Sequence, residues 1–351
     1  MEKIIDPVDK NLIKSELTVQ KRVRSTNKAN NEIYVFTSHD SPNLMREVGR
    51  LREIAFRHYG GGTGLEADID RYDTMNVPYR QLIVWDPENE EILGGYRFIY
   101  GSDVEFDDNG KPMLATAHLL NFSDKFLSDF LPYTVELGRS FVSLEYQSTL
   151  KGRKGIFALD NLWDGLGALT VIDPQIKYFF GKVTMYGTYN KNARNMILYF
   201  LNKHFPDNDK LVSPIVPLQT DTDHKKMENL FHGKNFNEDY RILNKEVRAL
   251  GYNIPPLINA YMALSPTMRF FGTSINDEFG DVEESGILIE IDQILEEKRA
   301  RHIESYLKSN PSKRFLMMLR RRISTKSGKK KVTIRKKSEK KTRNRGKSNT
   351  K

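Results

Sequence analysis

The sequence contains no cysteine among its 351 residues, which excludes disulfides, thiolate metal sites and a cysteine nucleophile. No apolar stretch approaches the length that spans a bilayer, and the start, Met1-Glu2-Lys3, lacks the apolar core of a signal peptide. The seven histidines show no metal-ligand spacing, and neither a Gly-x-Ser-x-Gly elbow nor a Walker phosphate loop is present. We therefore expect a cytoplasmic protein with no metal site and no permanently bound cofactor.

Positive charge is concentrated at one end of the chain. The net charge is +9, yet residues 320–351 hold 16 of the 55 Lys and Arg residues and only one of the 46 acids, Glu339. The first 319 residues carry 39 bases against 45 acids and are mildly acidic. Because this basic tail (residues 320–351) has almost no apolar residues, we expect it to be disordered in isolation. The rest divides into a polar N-terminal arm (1–30) and one domain (31–310).

Hydrophobic periodicity in this domain predicts a mixed α/β fold. Ser41 and Pro42 predict the start of a helix that ends near Tyr59. Strands are predicted over 31–37, 80–85, 92–100, 134–144 and 177–186, helices over 119–131 and 156–169, and two late strands between 254 and 291. Strands that first meander and then alternate with helices indicate a mixed sheet.

Four short segments point to one shared site. They are Leu51-Arg52-Glu53-Ile54-Ala55-Phe56, Asp68-Ile69-Asp70-Arg71-Tyr72-Asp73, Gly94-Gly95-Tyr96-Arg97-Phe98 and Glu136-Leu137-Gly138-Arg139-Ser140-Phe141. In this order and spacing they resemble the GNAT-fold N-acyltransferases of the ornithine-lipid and glycine-lipid synthase type, which are hemolysin-like proteins, and their relatives the acyl-homoserine-lactone synthases. The resemblance implies a GNAT-like α/β fold with a mixed, mostly antiparallel central sheet flanked by helices.

The resemblance also implies an activity. The enzyme would move a long (3-hydroxy)acyl chain from acyl carrier protein, its expected partner and co-substrate, to the α-amine of an amino acid in aminolipid synthesis. Glycine, ornithine and serine are the candidate acceptors. Two alternatives stay open: an acyl-homoserine-lactone synthase-like enzyme, and a non-enzymatic protein that binds polyanions or membranes.

Acyl transfer needs a general base, because the attacking amine is protonated at neutral pH. Glu136 is the candidate, acting directly or through a water, with Arg139 beside it; alternatively the two residues pair with each other and hold the sheet. In a regular strand, residues i and i+3 face opposite sides. Glu136 and Arg139 therefore share a face only if the strand bulges, and Gly138 is the residue that would allow the bulge.

Three arginines, Arg52, Arg97 and Arg139, accompany the acids Asp70 and Asp73. The resemblance implies a buried charge cluster around the acceptor, and arginine suits a carboxylate that is held by two parallel bonds. The second reading is an ion network that fixes the fold. Both readings can be true of the same residues.

An acyl channel and a donor grip are the remaining predictions. Candidate channel walls, which at such spacing are more often plain core, are Phe56, Trp85, Phe98 and Phe141. The stretch 151–156 departs from the Arg/Gln-x-x-Gly-x-Gly phosphate grip of most GNAT enzymes. We expect its Lys151, Arg153 and Lys154 to bind the donor phosphate or the acidic surface of acyl carrier protein, unless the loop is merely solvated. The resemblance to GNAT enzymes also makes Tyr186 and Tyr189, which follow the last predicted parallel strand, minor candidates for protonating the leaving thiol.

The basic tail has three possible roles. On an anionic membrane each Lys or Arg near the surface contributes roughly 1 kcal/mol. The tail would bind nucleic acid without sequence preference, but no aromatic residue interleaves with the basic ones, so nucleic acid is not an expected partner. A tail that only solubilises the protein is the third role. The lipid-enzyme resemblance favours peripheral attachment to the inner face of the membrane.

Overall fold

The computed structural model describes residues 1–147 and 153–309. The basic tail and Lys151 lie outside the described residues, as do the side chains of Arg153 and Lys154. The strands are β1 Arg22–Ser25, β2 Glu32–Phe36, β3 Arg80–Asp86, β4 Glu91–Tyr100, β5 Leu120–Phe122, β6 Thr134–Val142, β7 Tyr178–Met185, β8 Val212–Pro214, β9 Arg269–Asn276 and β10 Val282–Glu290. The helices are α1 Lys10–Glu16, α2 Pro42–His58, α3 Arg71–Thr74, α4 Leu144–Gln147, α5 Arg153–Ile172, α6 Lys191–His204, α7 His224–Leu230, α8 Phe236–Ala249, α9 Pro256–Met262, α10 Glu296–Arg299 and α11 Ser305–Ser309.

One large sheet organises the fold. Eight strands lie in the order β1-β2-β3-β4-β6-β7-β10-β9, and a separate ribbon pairs β5 with β8. All neighbours in the large sheet are antiparallel except β6 and β7, which are parallel. A parallel pair needs a long crossover connection, and α5 lies between these two strands in the chain. The predicted mixed, mostly antiparallel GNAT-type sheet is confirmed.

Helices cover both faces of the sheet. On one face, called here the α2 face, Leu44 and Val48 of α2 pack with Ile83 and Phe141. On the other, the α5 face, residues of α5 and α6 pack with apolar strand residues, among them Leu82, Val135 and Leu137. Successive strand residues point to opposite sides, and so Leu82 and Ile83 belong to different cores. No helix in the described ranges is long and apolar enough to cross a membrane.

Helix α2 follows the prediction in its apolar stripe but not in its cap. Leu44, Val48 and Ala55 are buried, as the helical spacing requires. Ser41 occupies the N-cap position, yet its side chain makes no capping hydrogen bond. Instead, the carboxylate of Glu16, from the end of α1, accepts the backbone N–H groups of residues 43 and 44 at 3.1 and 2.8 Å. A non-local acid thus satisfies N–H groups that helix starts leave unpaired.

Two other segments differ from the sequence-based expectation. The helix predicted over 119–131 is wrong for its first half, where strand β5 forms; a π-helical turn follows at Phe126–Phe130. Leu120 and Phe126 are buried together with Phe180 of β7, so packing against the sheet overrides local helical spacing. Strand β1 falls within the segment assigned to an arm and extends the sheet edge beside β2.

Candidate active site

A cleft opens where the two parallel strands separate. The pairing of β6 with β7 ends at Leu137 and Gly181. Beyond that point the strands line a cleft of about 730 Å³, and the lining residues come from both faces of the sheet. Arg139, Lys182 and Glu284 line its polar part. The residues Leu137, Phe179, Leu257, Tyr261, Ile287 and Ile289 are among those that line its apolar part.

A bulge in β6 shapes this cleft. Gly138 pairs with Arg97, and Phe141 pairs with Gly95. Two residues of β6, Arg139 and Ser140, therefore stand opposite the single β4 residue that lies between Gly95 and Arg97. Arg139 itself, not Gly138, takes the left-handed conformation, with φ of 47°. The extra residue places Arg139 on the α2 face, where Glu136 and Arg97 also lie. The predicted bulge is present, and its strained residue is the arginine.

Six charged side chains form a buried cluster on this face, three arginines against three aspartates. Arg52 pairs with Asp68 at 3.1 Å and with Asp73 at 2.8 Å. Arg97 pairs with Asp70 at 2.7 Å and with Asp73 at 3.2 Å. These contacts join α2, the turn before α3 and strand β4. The structure therefore brings together all the acids and arginines predicted for the charge cluster.

Arg139 completes the cluster and joins it to the cleft. Its Nε lies 2.8 Å from Asp68, and its Nη2 lies 3.5 Å from Asp70. Asp68, which the sequence analysis did not assign to the site, is thus the acid that links Arg52 to Arg139. Its place in the segment Asp68-Ile69-Asp70 was the available signal. Of the three arginines, only Arg139 lines the cleft.

Electrostatics favour the charged forms of Arg52 and Asp73. Burial alone would lower the pKa of Arg52, but the carboxylates of Asp68 and Asp73 outweigh it and raise that pKa. Burial would likewise raise the pKa of Asp73, but the guanidinium groups of Arg52 and Arg97 lower it. Arg52 and Arg97 are almost fully buried, and both pair with aspartates. Their contacts are those expected of an ion network that stabilises the fold.

Glu136 is buried and is not among the residues that line the cleft. Its carboxylate accepts hydrogen bonds from the Tyr79 hydroxyl and, at 3.0 Å, from the backbone N–H of Thr116. Burial raises its pKa, although both hydrogen bonds oppose the shift. With 2% of its surface exposed, Glu136 is absent from the cleft lining. Its role as a base stays a prediction.

Lys182 and Glu284 are the cleft residues that sequence reasoning missed. Lys182 donates a hydrogen bond to Glu284, whose carboxylate also accepts bonds from Thr184 and Asn276 at 3.1 and 2.8 Å. Asn276 in turn lies 3.3 Å from His118, and its Oδ1 accepts from the ring Nε2 because its amide nitrogen faces Glu284. Charged residues inside otherwise apolar strands were the signal that could have found this pair.

The predicted aromatic walls divide into two pairs. Phe56 and Phe141 line the cleft. Trp85 and Phe98 are buried in the cores of the α2 and α5 faces respectively and are not among the lining residues. Tyr186 lines the cleft, and burial together with the charges of Tyr59 and Glu284 raises its pKa to about 12. A phenol of this kind keeps its proton at neutral pH.

Within residues 1–147 and 153–309, no group of three or more His, Asp or Glu residues could hold a metal ion.

Comparison with known proteins identifies the family. Residues 51–151 match the family model described as an acetyltransferase (GNAT) domain. The chain is 67% identical over 311 residues to a glycine N(alpha)-acyltransferase of Phocaeicola vulgatus, covering 89% of this chain and 95% of the relative. It is 64% identical over 311 residues to a glycine N(alpha)-acyltransferase of Bacteroides thetaiotaomicron, covering 89% of this chain and 92% of the relative. No solved structure matches significantly.

These matches confirm the resemblance drawn from the four segments and confirm an acyltransferase. The family model spans α2 through β6, which carry the charge cluster and one side of the cleft. With identities of 67% and 64% over nearly the full length of both relatives, the chain belongs to the family of the GNAT-fold glycine Nα-acyltransferases.

Proposed function

We propose that this chain transfers a long (3-hydroxy)acyl chain from acyl carrier protein to the α-amine of glycine, the first step in making an aminolipid. The observation that carries the proposal is the cleft between β6 and β7, which is lined both by the charged residues Arg139, Lys182 and Glu284 and by apolar residues of the α5 face. Both relatives reported above are named for acylation of glycine. Glycine therefore replaces the wider set of acceptors as the proposed substrate.

The division of the cleft supports a lipid product. Glycine is small and charged, so it suits the part of the lining that holds Arg139, Lys182 and Glu284. A long acyl chain needs apolar walls, which Leu137, Ile287 and other residues of the α5 face supply. The thioester would enter the gap at which β6 and β7 separate, beyond Leu137 and Gly181.

The acyl donor is proposed from the sequence of the stretch 151–156. Lys151, Arg153 and Lys154 supply positive charge without the glycine spacing that grips a pyrophosphate. A donor with a single phosphate and an acidic protein surface, namely acyl carrier protein, fits such a sequence. The thioester is a co-substrate and not a bound cofactor.

The purified full chain tests this function. It is incubated with a long-chain 3-hydroxyacyl thioester of acyl carrier protein and glycine, and the products are measured by mass spectrometry. We expect N-acylglycine and free thiol in equal amounts, with less product from serine or ornithine and from the matching coenzyme A thioester. Absence of any N-acyl product overturns the function; a lactone product in the presence of S-adenosylmethionine would favour the lactone-synthase alternative.

The basic tail is proposed to attach the enzyme to anionic membranes. Deleting residues 320–351 is expected to abolish binding to vesicles that contain an anionic lipid, because it removes 16 basic residues. Transfer from soluble acyl carrier protein should remain, since the cleft lies in another part of the chain. Vesicle co-sedimentation and the N-acylglycine assay measure the two effects. Loss of both activities would instead support a protein that acts only through its tail.

A further inference from the structure

One ion pair at the cleft stands apart from the charge cluster. Lys182 on β7 donates to Glu284 on β10, and both side chains line the cleft. Thr184 and Asn276 donate to the same carboxylate at 3.1 and 2.8 Å. Glu284 is therefore held from three directions, and it fixes the position of the Lys182 ammonium in turn.

Both cations of the cleft keep donors that the protein does not use. An ammonium group has three N–H donors, and among the described residues Glu284 is the one acceptor of Lys182. Arg139 binds Asp68 and Asp70 through Nε and Nη2, which leaves its Nη1 without a partner in the described ranges. The pairing of β6 with β7 ends at Leu137 and Gly181, so Arg139 and Lys182 follow the last paired residues of two adjacent strands and line the same cleft.

We propose that Lys182 and Arg139 bind the carboxylate of the acceptor amino acid, while the carboxylate of Glu284 faces its ammonium group. The proposal rests on the proposed function and says where in the cleft the acceptor lies. Two neighbouring cations with unused donors match the two oxygens of a carboxylate. Glu284 offers the opposite charge beside them, so the charged ends of a zwitterion meet complementary groups.

The surroundings of Arg139 favour a small acceptor. The guanidinium carbon of Arg139 lies 4.2 Å from the centroid of the Phe279 ring. That ring packs edge-on against Phe56, with centroids 5.1 Å apart. Phe279 is held there because Gly280 lets its turn approach the end of α2: a Cβ at Gly280 would lie 2.7 Å from the Gly60 carbonyl oxygen. An aromatic wall beside the acceptor suits an amino acid without a side chain.

Glycinamide, which keeps the amine but lacks the carboxylate, is the probe that tests this site. With the long-chain 3-hydroxyacyl thioester of acyl carrier protein as donor, the wild-type chain should show a kcat/KM for glycine roughly 10- to 100-fold above that for glycinamide. In Lys182→Gln the preference should fall about tenfold, because glycine loses one of its two charged contacts and glycinamide loses none. The KM for the acyl donor should stay unchanged.

Two further variants test whether the effect of Lys182→Gln comes only from breaking a buried ion pair. Lys182→Gln leaves Glu284 buried without its cation, so the double variant Lys182→Gln/Glu284→Gln removes both charges of the pair; it should show the same reduced preference. The matched control is Arg194→Gln, which breaks a similar pair with Glu283, the neighbouring residue on β10, at 2.8 Å and outside the cleft. The control should keep the preference.

The acceptor site and the N-acylation of glycine fail in different ways in these experiments. If the single and double variants both acylate glycine with the wild-type preference over glycinamide, the acceptor site lies elsewhere and the inference is overturned. If the wild-type chain forms no N-acyl product with either acceptor, the proposed function itself fails.

Discussion

Replacing Asp73 with alanine is expected to lower the free energy of unfolding by about 3–5 kcal/mol, because it leaves two buried guanidinium groups without a shared carboxylate. Asp73 is fully buried and pairs with Arg52 and Arg97. It also accepts hydrogen bonds from Gln81 at 2.9 Å and from the backbone N–H of Asp70 at 3.1 Å. Equilibrium unfolding in urea measures the loss.

Asp103→Ala is the matched control for this experiment. Asp103 pairs with Arg80 on the neighbouring strand at 3.1 Å, but both side chains are about one third exposed. Removing such a surface pair costs at most about 1 kcal/mol. Equal effects of the two substitutions would contradict a fold-holding cluster. A normal stability of Asp73→Ala with a raised KM for glycine would assign the cluster to acceptor binding instead.

Acid titration gives a second view of the same cluster. Burial would raise the pKa of Asp73, but the guanidinium groups of Arg52 and Arg97 lower it below its unfolded value, which is about 3.9. A carboxyl with a depressed folded-state pKa stabilises the fold above the unfolded pKa and loses this contribution as the pH falls through the folded one. The stability difference between wild type and Asp73→Ala should therefore shrink below about pH 4.

Glu136→Gln is expected to lower the turnover number by about 10²–10⁴-fold, the usual contribution of a general base. Burial raises the pKa of Glu136, which moves it toward the range in which a base works best. Because the carboxylate is buried and does not line the cleft, the proton would reach it through a water. Single-turnover rates of N-acylglycine formation measure the effect.

Stability separates the two roles of Glu136. Glutamine has the same shape as glutamate, and its side-chain oxygen still accepts the N–H of Thr116. Its amide NH2 group then faces the Tyr79 hydroxyl, so one polar hydrogen of that contact has no acceptor. The expected loss of folding stability is about 1–3 kcal/mol. Glu32→Gln is the control, since Glu32 accepts a hydrogen bond from Tyr34 at 2.7 Å outside the cleft. If Glu136→Gln lowers stability by this amount and turns over like wild type, the carboxylate only anchors the segment around Thr116.

Local sequence patterns predict much of the fold. The elements that they do not predict depend on contacts between segments that are distant in the sequence. The stripe of α2 and the hairpin of β3 and β4 follow from spacing and turn residues within one stretch of sequence. The cap of α2 comes from Glu16, which precedes the capped residues by more than twenty positions. The helix predicted over 119–131 failed because β5 pairs with β8, whose sequence lies far downstream.

The candidate site shows the same limit. The arginines and acids of the charge cluster lie in segments with a recognisable order, so the resemblance brought them together. Lys182 and Glu284 are separated by 102 positions and meet only because β7 pairs with β10. Neither residue belongs to the four segments. Only the three-dimensional register places this pair in the cleft beside Arg139.

Lipid mass spectrometry of an expressing strain tests the N-acylation of glycine in the cleft between β6 and β7 most directly. The host should lack N-acylglycine lipids and contain glycine and acyl carrier protein. We predict a new long-chain N-acylglycine in cells that express the wild-type chain, and much less with Lys182→Gln at equal protein level. A strain that accumulates the folded protein without any new N-acyl amino acid would contradict the account.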